Sequence, residues 1–213
     1  MLTNLFYEEG YFMKILITGF EPFGSETINP SYEAVKLLPD YMGNIEIVKE
    51  KIPVSFETSG SLLNAAIALH HPDAVICVGQ AGGYSGIAAE RIAINLRDSS
   101  IPDNCGVQPI EQPVVPDGPA AYFSTLPIKK IVNALQSQGI PAFISNSAGT
   151  YVCNNLMYIL LHLIHHTYPA LRGGFIHVPY TTEQAANKSP VPPSMNLEQI
   201  VKALEITIKA LPT

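Results

Sequence analysis

The sequence predicts an α/β protein built on a largely parallel, mixed sheet, and three observations carry that reading. Short apolar runs recur, most of them continuous rather than alternating, as strands covered on both faces require. Stretches of helical apolar spacing fall between them, so strand and helix alternate along the chain. No internal repeat, low-complexity tract or linker divides the 213 residues, so residues 13–213 are expected to form one domain.

The elements follow in order. Met13–Gly19 (MKILITG) is an apolar run stopped by glycine and is expected to be the first strand of a buried sheet. Residues 1–12 do not read like the rest; they are expected to be an extension outside the domain, and Met13 is an alternative initiator. Asn29 can cap a helix over Pro30–Leu38, and Ser55 precedes a helix over Phe56–Leu69. Ile45–Val48, Ala74–Gly79, Ile92–Leu96, Ala142–Ser145 and Gly174–Val178 read as further strands. Ile128–Gln136, Tyr151–Thr167 and Leu197–Leu211 read as further helices. Asp98–Pro119 breaks the rhythm with five prolines, and a loop this long inside a compact domain is usually functional or lies at an interface.

Composition excludes several function classes. Apolar residues make up 47% of the chain and charged residues 14%, against about 25% in an ordinary domain, so a disordered chain is excluded. So few charges also suggest that some surface is buried in an oligomer. The net charge is −6 and no basic cluster occurs, which excludes a nucleic-acid partner. No apolar run reaches the roughly 18 to 20 residues of a membrane span; the stretch from Leu156 to Ile164 is too short. The N-terminus lacks the basic and apolar regions of a secretory signal. Three cysteines make no disulfide framework, so the expectation is a soluble protein of a reducing cytoplasm.

In open α/β sheets ligands bind beyond the carboxyl ends of the strands. The strand exits here are Gly19–Gly24, Gly79–Gly86, Ser145–Cys153 and His177–Tyr180. Cys153 falls near the first turn of the longest helix. A helix N-terminus favours the thiolate, and its free N–H groups could hold an oxyanion. A buried packing cysteine would fit the same pattern. His177, at a strand exit, is either a general base for a thiol or a satisfied core histidine. Glu90 either orients that histidine or lies on the surface near Arg91. Phe20 and Phe23 either clamp a flat ring or plug the loop. Cys77 reads as core and Cys105 as incidental. His162, His165 and His166 share part of a helix face, a spacing that can bind zinc. No fourth ligand and no HExxH motif accompany them, so they read as a solvated face, and no metal or cofactor is expected. His70 and His71 end a helix, where a cation suits the dipole. Gly79–Gly83 (GQAGG) is neither GxGxxG nor a P-loop, so it carries little signal for phosphate.

Taken together, these fragments are specific. MKILITGFEPFG (Met13–Gly24) with Asn29-Pro30 is followed in order by ICVGQAGG (Ile76–Gly83), ERIAIN (Glu90–Asn95) and IPDN (Ile101–Asn104). GPAAYFSTLPIK (Gly118–Lys129), AGTYVCN (Ala148–Asn154) and RGGFIHVPY (Arg172–Tyr180) complete the series. In these motifs the sequence closely resembles the pyrrolidone carboxyl peptidase, or pyroglutamyl peptidase I, family. The resemblance implies a three-layer α/β/α sandwich and a cytoplasmic cysteine peptidase that removes an N-terminal pyroglutamyl residue from peptides. It implies Cys153 as nucleophile, His177 as its base and Glu90 as the third member. It implies a substrate pocket from Phe20, Phe23, Asn29, Gln80, Ile101, Tyr151 and Val152, and a homodimer or homotetramer. The sequence departs from the common pattern at Tyr84 and Ser100, where arginine is frequent, and at Tyr151, where phenylalanine is. The competing readings are a nucleoside-phosphorylase-like transferase and a non-catalytic protein that binds pyroglutamyl peptides.

Overall fold

The computed structural model describes residues 12–211, so the expectation for residues 1–12 lies, Phe12 apart, outside the described residues. The chain runs β1 (Met13–Phe20), α1 (Pro30–Leu37), β2 (Tyr41–Met42), β3 (Ile45–Ile52), α2 (Ser59–His70) and β4 (Ala74–Gln80). It continues through β5 (Ile87–Glu90), β6 (Ile92–Ile94), β7 (Ala121–Phe123), α3 (Ile128–Ser137), β8 (Ala142–Ser145) and α4 (Val152–His166). It closes with β9 (Arg172–Val178), β10 (Tyr180–Thr181), α5 (Thr182–Ala186), β11 (Ser194–Met195) and α6 (Leu197–Lys209).

Seven strands form one sheet in the order β2-β3-β1-β4-β9-β5-β8. β1 lies parallel to β3 and β4, β4 parallel to β9, and β5 parallel to β8. β2 runs antiparallel to β3 and β5 antiparallel to β9, so the sheet is mixed, as expected. The strands are apolar on both faces because both faces are covered. On one face Ile15, Ile17, Ile76 and Val78 pack with Val35 of α1, Ile131 of α3 and Leu204 of α6. On the other, Leu16, Val75 and Phe175 pack with Leu63 of α2 and Leu160 of α4. The result is the three-layer α/β/α sandwich.

Two local expectations need correction. The helix placed at Phe56 starts at Ser59, because Phe56–Thr58 form a turn. The buried Phe56 donates its N–H to Asp103 Oδ2 instead of entering the helix (2.8 Å). The strand placed over Ile92–Leu96 stops at Ile94 and leaves the main sheet to pair with β7. The main sheet is continued by β5, whose short Ile-Ala-Ala-Glu run has little intrinsic strand preference and is held by its neighbours.

The Asp98–Pro119 loop holds no named strand or helix, and its backbone is satisfied by turns, an isolated bridge between Arg97 and Gln112, and side chains. Asp103 Oδ1 accepts the N–H groups of Cys105 and Val107. The Asn95 amide bonds the main chain of Val115 and Gly118.

Candidate active site

The exits of β1, β3, β4 and β9 meet the N-terminus of α4 around a cavity of about 410 Å³. The start of α4 is fixed by the two asparagines that follow the thiol. Asn154 accepts from the Ile94 N–H and donates to the carbonyls of Ile94 and Leu96. Asn155 accepts from Arg97 Nε (2.7 Å) and donates to the Phe56 carbonyl. These bonds lash the first helical turn to the chain beyond β6 and hold Cys153 at the cavity wall. The helix ladder begins with the bond from Asn155 N–H to Tyr151 O, so the Cys153 N–H lies ahead of it, as a first-turn donor must.

Sheet register sets the other two members. His177 on β9 stands opposite Ala88 on β5, and Glu90 follows two residues later on the same face of β5. Both are buried, Glu90 completely, and His177 Nδ1 lies 2.8 Å from Glu90 Oε1. Among the described residues Glu90 Oε2 has no hydrogen-bond partner, and His177 is the side chain bonded to this carboxylate. With Nδ1 taken, Nε2 is the ring nitrogen left to act on the neighbouring Cys153 thiol, which interacts with His177. Burial alone would push the imidazole down. The bonds to Cys153 and Glu90, and their charges, outweigh it and carry the ring up to about 9.

Gly79 makes room for this arrangement. A Cβ there would lie 2.7 Å from the Phe175 ring and 3.0 Å from Cys153 Sγ. The Phe175 ring in turn packs against His177, with centroids 4.7 Å apart.

Of the expected pocket residues, Phe20, Phe23, Asn29, Gln80, Tyr151 and Val152 all line the cavity, with Cys153 and His177. Phe20 is a buried floor against Phe175, and Phe23 stands against Tyr151. Asn29 also has a structural role: Oδ1 caps α1 through the Ser31 N–H, and Nδ2 donates to the Glu21 carbonyl. Ile101 is not among the lining residues and is 46% exposed. In that segment the buried Asp103 turns inward and anchors the loop, and Pro102 O accepts the Tyr151 hydroxyl (3.0 Å), a bond phenylalanine could not make.

The lining also includes Val54, which sequence reasoning did not place there, and Tyr84, which lies in the Gly79–Gly86 strand exit but is not among the expected pocket residues. Val54 follows β3, and the strand-exit rule would have reached it had that strand been read to Ile52. Tyr84 sets its ring edge toward His177 and Phe143, with centroids at 6.1 and 5.3 Å.

The remaining candidates lie elsewhere. Cys77 is buried in the sheet as expected, and Cys105 is exposed. His162 and His166 do not simply face solvent, because both hydrogen-bond the Tyr122 hydroxyl. Among the described residues no group of three or more His, Cys, Asp or Glu side chains is arranged to hold a metal ion.

A thiol at a helix N-terminus, an imidazole and a buried carboxylate, linked in that order on an α/β/α sandwich, define a cysteine hydrolase arrangement. The comparisons narrow the class: residues 13–212 match the family model described as pyroglutamyl peptidase, and the chain belongs to that family. A pyrrolidone-carboxylate peptidase of Thermosipho africanus is 56% identical over 199 residues, covering 93% of this chain and 97% of that protein. One from Streptococcus pneumoniae is 53% identical, covering 93% and 92%. The crystal structure of pyroglutamyl peptidase I from Bacillus amyloliquefaciens superposes with a TM-score of 0.90 at 49% identity, covering 93% of this chain and 96% of that one.

Proposed function

We propose that this chain removes an N-terminal pyroglutamyl residue from peptides, with Cys153, His177 and Glu90 as its catalytic relay. The observation that carries the reading is the His177–Glu90 hydrogen bond beside Cys153 on the wall of a mostly apolar cavity. His177 takes the Cys153 proton, and Glu90 holds the imidazolium. The thiolate attacks the pyroglutamyl carbonyl, and the resulting oxyanion meets first-turn N–H groups of α4, where one donor is typically worth about 3 to 4 kcal/mol. His177 then gives its proton to the departing amine as the C–N bond breaks. Water, deprotonated by His177, cleaves the thioester and regenerates the thiol.

Selectivity follows from a flat, neutral lactam between Phe20 and Phe23, with its polar edge on buried partners. A site built on such partners rejects an analogue lacking them by on the order of 10⁴. A pyroglutamyl amide of a fluorophore is therefore expected to be cleaved at least a thousandfold more efficiently than the prolyl amide. Equal rates would refute the lactam pocket. Phosphate-dependent release of a base from a nucleoside would instead favour the phosphorylase reading.

We read the assembly as a homodimer or homotetramer in the cytoplasm. Ile101 and Ile110 stand exposed on the Asp98–Pro119 loop, which fits burial between subunits, and the three cysteines are free. Light scattering at micromolar concentration is expected to report an oligomer; a monomer would overturn this reading. Among the described residues no helix is long and apolar enough to cross a membrane. Activity is expected in the lysate, and its recovery outside the cells would argue against the cytoplasm.

A further inference from the structure

We propose that Gln184 is a positioning residue: it fixes which end of the Gln80 side-chain amide faces the cavity, so that Gln80 offers N–H donors to the lactam carbonyl. The proposal rests on the peptidase reading above. It starts from a ligand requirement, since a lactam carbonyl only accepts, and an amide side chain that could rotate would offer it oxygen as readily as nitrogen.

The orientation of Gln184 is set by partners that allow no choice. Its Oε1 accepts the Thr181 N–H at 3.1 Å, half of the capping box that opens α5. Its Nε2 lies 2.9 Å from Glu26 Oε2, a carboxylate that can only accept. Turning this amide over would set donor against donor at Thr181 and oxygen against oxygen at Glu26. Glu26 is itself paired with Lys188, whose ammonium also sits over the Tyr180 ring at 4.6 Å. Burial would raise the Glu26 carboxyl, but Lys188 and Gln184 outweigh it and hold it below its ordinary value, so it is an ionised acceptor at neutral pH.

With Gln184 fixed, Gln80 has no freedom either. Gln184 Nε2 reaches it at 3.1 Å, so the Gln80 atom on that side must be Oε1. The amide nitrogen then points away from Gln184. Gln80 lines the cavity, and among the described residues its Nε2 makes no hydrogen bond. The donor is left for a ligand, and of the groups on a pyroglutamyl residue the ring carbonyl is the one proline lacks.

The test is a double-mutant cycle on pyroglutamyl amide hydrolysis. Gln184→Leu is expected to raise KM tenfold or more, with kcat within a few-fold of wild type, because the acylation relay is untouched. In a Gln80→Ala background the same change is expected to raise KM less than twofold. Gln184→Met gives the second readout, since it keeps nearly the same length but offers Gln80 no donor, which leaves that amide free to turn its oxygen to the cavity. It too is expected to raise KM, and again only when Gln80 is present. If removing Gln184 raises KM by the same factor with and without Gln80, or lowers kcat alone, the residue merely supports the fold and the proposal fails. An inert wild type would instead defeat the peptidase reading, so the two failures are distinct.

Discussion

Cys153→Ser is expected to lose hydrolysis of a pyroglutamyl amide by a factor on the order of 10⁴ or more, as when a nucleophile is removed from a relay that acts as a unit. The size of the loss follows from the lack of a substitute. Cys77 lies wholly inside the sheet, and burial pushes its thiol up to about 12, with the nearby Cys153 adding to the rise. Cys105 is exposed on the long loop and does not line the cavity. A serine hydroxyl in place of the thiol would sit beside the same imidazole, but it has no readily formed anion to match the thiolate. Iodoacetamide gives an independent reading. It is expected to label Cys153 with loss of activity, Cys105 without loss, and Cys77 not at all until the chain unfolds. A serine variant that keeps the wild-type rate would remove Cys153 from the chemistry.

The same comparison of thiols shows what was legible in the sequence. Cys77 could be placed because a residue inside a continuous apolar run has one reading, a core strand. Cys153 could be placed near a helix start, since the helix pattern begins beside it, but spacing alone could not separate a nucleophile from a packing residue. That took the motif resemblance, and the physical difference is the interaction with His177, which comes from a different strand.

Glu90 shows where local reading stops. Beside Arg91 it looks like a surface carboxylate. Its burial follows from the antiparallel pairing of β5 with β9, which sets Ala88 opposite His177 and brings together residues far apart in sequence. No local periodicity encodes that contact. Ile101 is the opposite case: motif order places it near the pocket, while this single chain leaves it exposed because Asp103 takes the inward position. The short elements β2, β10, β11 and α5 escaped because two to five residues are too few to display a period.

Glu90→Gln is expected to lower turnover by roughly 10³- to 10⁴-fold, the scale seen when the acid of a catalytic triad is made an amide, and to move the alkaline limb of the pH profile. The sign follows from the forces on His177. Burial favours the neutral ring, and the bonds and charges of Cys153 and Glu90 reverse that preference and carry it to about 9. A thiolate–imidazolium pair is lost when the imidazolium gives up its proton, so activity is expected to fall as pH rises through about 9. An amide at position 90 keeps an oxygen that can face Nδ1–H but removes the negative charge, so the imidazolium is less favoured and the limb moves to lower pH. The amide also places an N–H₂ where the buried Oε2 now has no partner. That leaves donors unsatisfied and weakens the single orientation that keeps Nε2 on the thiol. A role confined to packing would leave the limb in place, since glutamine fills nearly the same space. Unchanged turnover with an unmoved limb would take Glu90 out of the relay, whereas lower turnover with a limb shifted toward neutrality would tie its effect to the charge on His177.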